Sequence, residues 1–181
     1  MQKIIGLFKR HYDGEKKGEI YNEITPGAEW VVNGEGVATR KWDGTCCMIR
    51  GGKLYKRYDA KNGKTPPEGF EPAQDPDPIT KHWPGWLLVK DVPNDQWHRE
   101  VDISNLPDGT YELCGPKLQG NPEGFTQHVL MPHGKWILED VPTEFEALKA
   151  WLKDCFWEGI VWHHPDGRMV KIKKKDFKFD S

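Results

Sequence analysis

The sequence predicts an α+β protein built mainly from antiparallel sheets, with few helices. Three observations carry that expectation. The chain scatters 19 glycines and 14 prolines through its 181 residues, a distribution that suits many turns between short strands. Short β-prone runs flank tight-turn residues: Thr45 to Arg50 and Lys53 to Arg57 sit on either side of Gly51-Gly52. One stretch, Thr143 to Phe156, carries Phe145, Leu148, Trp151 and Leu152 at helical spacing, with Thr143 as N-cap and Glu146 three residues on.

Taken in order, Lys3 to Phe8 is apolar and reads as a strand. His11 to Lys17 is a polar turn or exposed loop. Ile20 to Ile24 reads as an extended or short helical piece closed by Thr25-Pro26-Gly27. Glu29 to Val32 runs into Asn33-Gly34, a strong turn signal. Val37 to Thr39 is extended, and the Gly51-Gly52 hairpin follows. Thr65 to Pro84, rich in Pro, Gly, Asp and Glu, shows no strand or helix period and reads as a long loop. Leu87 to Lys90 reads as a strand, and Trp86 just before it packs into the core. After Pro107-Asp108-Gly109, Tyr111, Glu112 and Leu113 alternate, so Glu112 points away from its apolar neighbours. Ile137-Leu138 is a short strand. Ile160 to Trp162 and Arg168 to Lys173 form a last hairpin about Pro165-Asp166-Gly167. Lys171 and Lys173, two apart, share one face of its second strand, with Val170 and Ile172 on the other.

Composition narrows the function. Charged residues are 30% of the chain, yet the net charge is −2, so any nucleic-acid surface is a local patch. The lysines near the C-terminus are the candidate. Cys46, Cys47, Cys114 and Cys155 form no spaced disulfide framework. No Cys/His spacing resembles a zinc site, and adjacent Cys46 and Cys47 point to opposite faces of a strand. These read as reduced thiols of a cytoplasmic protein. No signal peptide and no membrane span is legible. The length suits one domain, residues 1–181.

The chemistry centres on Arg40-Lys41-Trp42-Asp43-Gly44-Thr45. Most lysines are solvated surface charges. Lys41, however, stands where two apolar extended segments meet, beside a glycine that lets backbone approach a ligand. A lysine in such a place must be paired or have its pKa lowered, and a lowered pKa makes a nucleophile.

Lys-x-Asp-Gly is the nucleophile motif of the covalent nucleotidyltransferases: ATP-dependent DNA ligases, RNA ligases and capping enzymes. The longer run Lys41-Trp42-Asp43-Gly44-Thr45-Cys46-Cys47 resembles the RNA ligase 1 type of 5′-to-3′ RNA ligase. His82-Trp83-Pro84-Gly85-Trp86, Gln119 to Gly124, Trp157-Glu158-Gly159 and the Lys-x-Lys of Lys171-Ile172-Lys173 continue the resemblance in order, from Val37 to Lys173.

The resemblance implies a nucleotidyltransferase (ligase adenylation) fold with no separate OB domain. It implies that Lys41 attacks the α-phosphate of ATP to form lysyl–AMP. The AMP then passes to an RNA 5′-phosphate, and an RNA 3′-hydroxyl displaces it. By the same resemblance the nucleotide is held by Arg40, Lys41, Gly44, Arg57, Glu112, Trp136, Glu158, Lys171 and Lys173. Arg57 would contact phosphate, with Lys61 a weaker candidate. Glu112 would accept a hydrogen bond from the ribose, against the plainer reading that it faces water. Trp136, or else Phe125, would stack on adenine, although Trp136 equally suits the core. Glu158 and Asp43 would hold a hydrated Mg²⁺ or Mn²⁺. Lys41, Asp43, Glu158, Lys171 and Lys173 form the catalytic set, and Lys174, Lys175 and Lys178 are either solvated or track RNA phosphates. Another covalent nucleotidyltransferase, or a silent RNA-end-binding module, remains open, as does the oligomeric state.

Overall fold

Burial alternates along the strand Met169–Lys173 and along the second half of the strand Thr45–Arg50, whereas the strands Gly109–Cys114 and Gly159–His163 carry runs of four consecutive buried residues. The computed structural model describes residues 1–179. The elements in chain order are β1 (Ile5–Gly6), β2 (Phe8–Arg10), β3 (Ile20–Ile24), α1 (Glu29–Val32), β4 (Val37–Lys41), β5 (Thr45–Arg50), β6 (Lys53–Lys61), β7 (Glu71–Pro72), β8 (His82–Leu88), α2 (Gln96–Arg99), β9 (Gly109–Cys114), β10 (Val129–Pro132), α3 (Phe145–Lys153), β11 (Gly159–His163) and β12 (Met169–Lys173). This is an α+β protein with mainly antiparallel sheets and few helices.

The chain forms two compact units: residues 1–3 with 43–133, and residues 4–42 with 134 onward. In the first, a six-stranded sheet runs β10-β9-β5-β6-β8-β7, antiparallel at every pairing. Cys47, Ile49, Leu54, Tyr111, Leu113 and Leu130 bury one of its faces. In the second, a four-stranded sheet runs β1-β12-β11-β4, with β1 parallel to β12 and the other pairs antiparallel, beside the β2–β3 hairpin. Ile160, Trp162, Val170 and Ile172 cover its core face together with Leu148 and Leu152 of α3 and Trp30 and Val31 of α1.

The hairpin from β5 to β6 has the predicted two-residue turn. Arg50 pairs Lys53, and both intervening glycines have positive φ, 59° and 75°. That is the backbone a primed turn demands and a β-carbon resists. The β11–β12 hairpin also forms as expected, with Gly167 at φ 99°.

Several expectations are corrected. The Lys3-to-Phe8 strand divides. Gly6 pairs Lys171 while Phe8 pairs Ile24, so the chain leaves one sheet and joins the hairpin within two residues. Leu7, fully buried, anchors the switch, and its N–H donates to the Lys171 carbonyl at 2.9 Å. The segment Thr65 to Pro84 is not wholly loop: β7 lies within it and β8 begins at His82. The Pro-Gly pair sits inside β8 because β7 crosses it closely. A β-carbon on Gly85 would lie 2.4 Å from the Glu71 carbonyl oxygen, so only glycine fits. Trp86 is core, as expected, at 3% exposure. Ile20 to Ile24 is a strand, and Glu29 to Val32 is a helical turn. Ile137 makes only an isolated bridge to Thr39, not a strand.

Helix α3 starts later than predicted. Its N-cap is Glu144, not Thr143. Glu144 is extended (φ −78°, ψ 142°), and its carboxylate accepts from the N–H groups of Glu146 and Ala147 at 3.1 and 2.8 Å. Those two bonds hold the carboxyl below its ordinary pKa. A carboxylate with a depressed folded pKa stabilises above its unfolded value and stops doing so as pH falls through the folded one. Glu144→Ala is therefore expected to lower the melting temperature at pH 7. The difference from the parent should vanish once the pH is below both values. Thermal melts across pH 2–8 check this.

Among the described residues no helix is long and apolar enough to cross a membrane.

Candidate active site

Lys41 is the last residue of β4, and its register places it. It pairs with Gly159 of β11, and Gly159 pairs on its other side with Lys173 of β12. Residues directly opposed across a sheet share a face, so Lys41 and Lys173 flank Gly159 on one face. Lys171 is on that face too, one level away, beside Val161 and Thr39. The opposite face carries Ile160, Ile172 and Val170, each at most 1% exposed. The predicted two-sided pattern of β12 is therefore the one observed.

The Lys41 ammonium donates to Glu158 Oε2 at 3.0 Å, and both side chains are largely buried, 19% and 12% exposed. The strand pairing explains the meeting. Glu158 precedes the residue that pairs Lys41, so its side chain is delivered to the end of β4. Gly159 is required there. A β-carbon would lie 2.1 Å from the Ile172 carbonyl oxygen and 2.8 Å from the Lys173 Cα. Buried Thr39 ties β4 to β11 by donating its hydroxyl to the Val161 carbonyl at 2.7 Å.

Lys173 is strained electrostatically. Burial first, then the Lys175 and Lys41 charges, hold its ammonium below the ordinary lysine value, against the pull of Asp176 and Glu158. A lysine with a depressed folded pKa costs stability at neutral pH, and the cost disappears as pH rises through that value toward the unfolded one, because the unfolded chain binds the extra proton. Lys173→Met is expected to raise the melting temperature at pH 7, by less as the pH approaches 10.5. A lower melting temperature at pH 7 would show that Lys173 is held by attraction instead. The other lysines have other duties. Lys174 Nζ donates to the Cys155 carbonyl at 2.9 Å, and Lys178 pairs with Glu19.

Arg40 precedes Lys41 and so lies on the opposite face of β4. Its guanidinium sits among four aromatic rings, 4.0 Å from the centre of Trp42 and 5.1–5.6 Å from Trp136, Phe156 and Trp157. Trp136 is 53% exposed and meets Trp42 edge to face at 5.7 Å, so it is not core.

In the other unit, Glu112 does not face water. It is 9% exposed. Its Oε2 accepts from the Gly44 N–H at 3.2 Å, and its Oε1 is 3.1 Å from His133 Nε2. Gly44 is glycine for a backbone reason: a β-carbon would lie 2.0 Å from the Leu113 carbonyl oxygen, so the close approach is to β9. The Asp43 N–H donates to Glu123 Oε1 at 3.4 Å. Arg57, carried back along β6 to the level of Cys46, stacks over Trp86 at 4.8 Å and donates to the Met1 carbonyl at 2.6 Å. Burial draws its pKa down from the usual arginine value. Lys61 is exposed at the far end of β6, and Asn121 and Phe125 close a loop by two mutual hydrogen bonds.

Sequence reasoning missed His133, Glu123 and Cys46 as site groups. Only His133 left a trace, as a polar residue just past a strand whose partner carries Glu112.

The chain is similar to known RNA ligases. The RNA ligase 1 family model matches residues 87–180, which include Glu112, Trp136, Glu158, Lys171 and Lys173; Lys41 precedes the matched span. RNA ligase 1 of Mus musculus is 26% identical over 214 aligned positions, covering 76% of this chain and 65% of the mouse protein. RNA ligase 1 of Danio rerio is 27% identical, covering 76% of this chain and 66% of the fish protein. The chain thus spans 65–66% of the length of these relatives. The chain belongs to the RNA ligase 1 family.

Proposed function

We propose that the chain carries the adenylation chemistry of an ATP-dependent RNA ligase on a nucleotidyltransferase fold. The observation that carries the reading is the Lys41–Glu158 ion pair, with Lys173 flanking the same glycine. In the first step Lys41 Nζ forms a bond to the α-phosphorus of ATP. The bond to the bridging oxygen breaks, pyrophosphate leaves, and lysyl–AMP remains. The Lys41 ammonium first gives up a proton to free its lone pair, and Nζ gives up a second as the N–P bond forms; the Glu158 carboxylate at 3.0 Å is placed to receive one and solvent takes the other. Lys171 and Lys173, on the face that Lys41 shares, stabilise negative charge on the transferring phosphoryl group. The adenylate then moves to an RNA 5′-phosphate, and attack by an RNA 3′-hydroxyl releases AMP as the strands join.

Glu112 fits the ribose role. Its carboxylate is oriented by the Gly44 N–H and His133, so its acceptor position is set before nucleotide arrives. A hydrated Mg²⁺ or Mn²⁺ suits the donors as well. Glu158 offers hard carboxylate oxygens, too few for a full cage, which fits a cation that keeps most of its water; Asp43 is carried into this role by the resemblance alone. Such an ion supplies charge neutralisation at the phosphates.

The test is incubation with α-labelled ATP and Mg²⁺, followed by unlabelled 5′-phosphorylated RNA, read on a denaturing gel. Label that binds the protein and then passes to RNA is the expected result. Label from GTP but not ATP, or label that RNA never removes, would make the chain a different covalent nucleotidyltransferase. No label with either nucleotide would leave an RNA-end-binding module.

A further inference from the structure

Three side chains with metal-binding atoms converge on the six-stranded sheet, although 66 positions separate Cys46 from Glu112 and 21 separate Glu112 from His133. Cys46 of β5 lies directly opposite Glu112 of β9. His133 follows the last residue of β10, and its N–H donates to the Thr110 carbonyl at 3.1 Å. Thr110 and Glu112 are two apart on β9, so strand alternation puts all three groups on one face. That face is opposite the one on which Cys47 is fully buried. The Cys46 sulfur, a Glu112 oxygen and a His133 nitrogen all lie within 4.8 Å of one another.

We infer that Cys46, Glu112 and His133 form a binding site for a divalent cation of the zinc class, separate from the Mg²⁺-type position read at Glu158. The donor set makes the distinction. Thiolate, imidazole and carboxylate together suit Zn²⁺, whereas Mg²⁺ wants oxygen donors and water. Three protein ligands leave a fourth tetrahedral position for water or another donor.

The outer contacts are also those a metal site uses. Glu112 Oε2 is held by the Gly44 N–H at 3.2 Å, which leaves Oε1 turned toward His133. The second ring nitrogen of His133, Nδ1, is 3.0 Å from the Thr110 hydroxyl. Without metal, Nε2–H donates to Glu112 Oε1; with the ring proton moved to Nδ1 and donated to the Thr110 hydroxyl, Nε2 presents its lone pair to a cation held between Oε1 and the sulfur. On binding, the cation replaces the Glu112–His133 hydrogen bond with two metal–ligand bonds. The Cys46 thiol loses its proton to solvent and supplies the third.

A consequence follows that rests on the reading of Glu112 as the ribose acceptor. A cation on Oε1 competes with the ribose hydroxyl for the same carboxylate. Zinc-class ions would then inhibit self-adenylylation reversibly, and a chelator would restore it.

The site itself is tested without any activity. Cobalt(II), titrated into the metal-free full chain, is the probe. The expected result is one equivalent bound, a thiolate-to-cobalt charge-transfer absorption in the near ultraviolet, and its loss on adding Zn²⁺. Cys46→Ser should lose that absorption, and His133→Gln should weaken cobalt binding at least about tenfold. Thermal melts of both variants establish that they fold. No thiolate absorption in the parent, or an unchanged absorption in folded Cys46→Ser, overturns the site. For the consequence, the ratio of ATP labelling with and without micromolar Zn²⁺ should fall well below one in the parent and return toward one in Cys46→Ser. If cobalt binds as expected while zinc leaves labelling unchanged, the inhibitory consequence is overturned and the metal site stands. If the parent never labels, the cobalt spectra alone decide the site.

Discussion

Lys41→Arg is expected to abolish covalent labelling by α-labelled ATP, a loss of at least about a thousandfold, while the protein melts close to the parent temperature. The ion pair to Glu158 at 3.0 Å is open to either cation, so charge balance on this face of the sheet survives the change. The nucleophile does not survive it. A guanidinium stays protonated at any pH the fold tolerates, so it offers no lone pair to phosphorus. Lys41→Ala should lose labelling equally but also melt lower, because Glu158, 12% exposed, loses its ion pair to the Lys41 ammonium. Comparing the two separates chemistry from stability. Persistent label on either variant would move the nucleophile elsewhere, and Lys173, held below its ordinary pKa on the same face, is the residue to examine next.

The second large effect is at Gly159. Gly159→Ala should destabilise the protein by about 1–3 kcal/mol or more, the usual cost of forcing extra volume into a packed site. The clash is with backbone, the Ile172 carbonyl oxygen at 2.1 Å and the Lys173 Cα at 2.8 Å, so no side chain can turn away to relieve it. Either β11 and β12 separate or β11 moves along β4. Both displacements shift Lys173 or Glu158 relative to Lys41, so adenylation should fall more than about tenfold in whatever fraction remains folded. Urea unfolding and labelling of the folded protein measure the two effects separately. Parent-like stability with parent-like labelling would mean that this glycine has no packing role. Glycine in a Glu-Gly pair is thus explained by the strand beside it, without appeal to a ligand.

Much of the fold was legible because it is local. The β5–β6 hairpin is written in two adjacent glycines between alternating strands, and the β11–β12 hairpin in Pro165-Asp166-Gly167. The shared face of Lys171 and Lys173 follows from period-two alternation alone. The local reading failed where a neighbouring side chain competed for the same role or another strand intervened. Helix α3 takes Glu144 as its cap because that side chain, rather than Thr143, reaches the first free N–H groups. The Pro84-Gly85 pair resembles a loop signal until β7 is laid across it.

The candidate site divides in the same way. The sequence by itself determined that a lysine stands between β-prone segments, that two more lysines share a strand face, and that a Glu-Gly pair opens the last hairpin. Only the tertiary structure decided what these groups touch. Glu158 reaches Lys41 across 117 positions because β11 pairs with β4. Glu112 turns from solvent to Gly44 and His133, 68 and 21 positions away, because β9 lies between β5 and β10. Arg40 and Lys41 are neighbours in sequence, yet one sits among aromatic rings and the other beside a carboxylate. The physical reason is common to all three. Alternation fixes which way a side chain points relative to its own strand, whereas its partner is fixed by which strands pair and in what register, and that is settled by burial summed over the whole sheet.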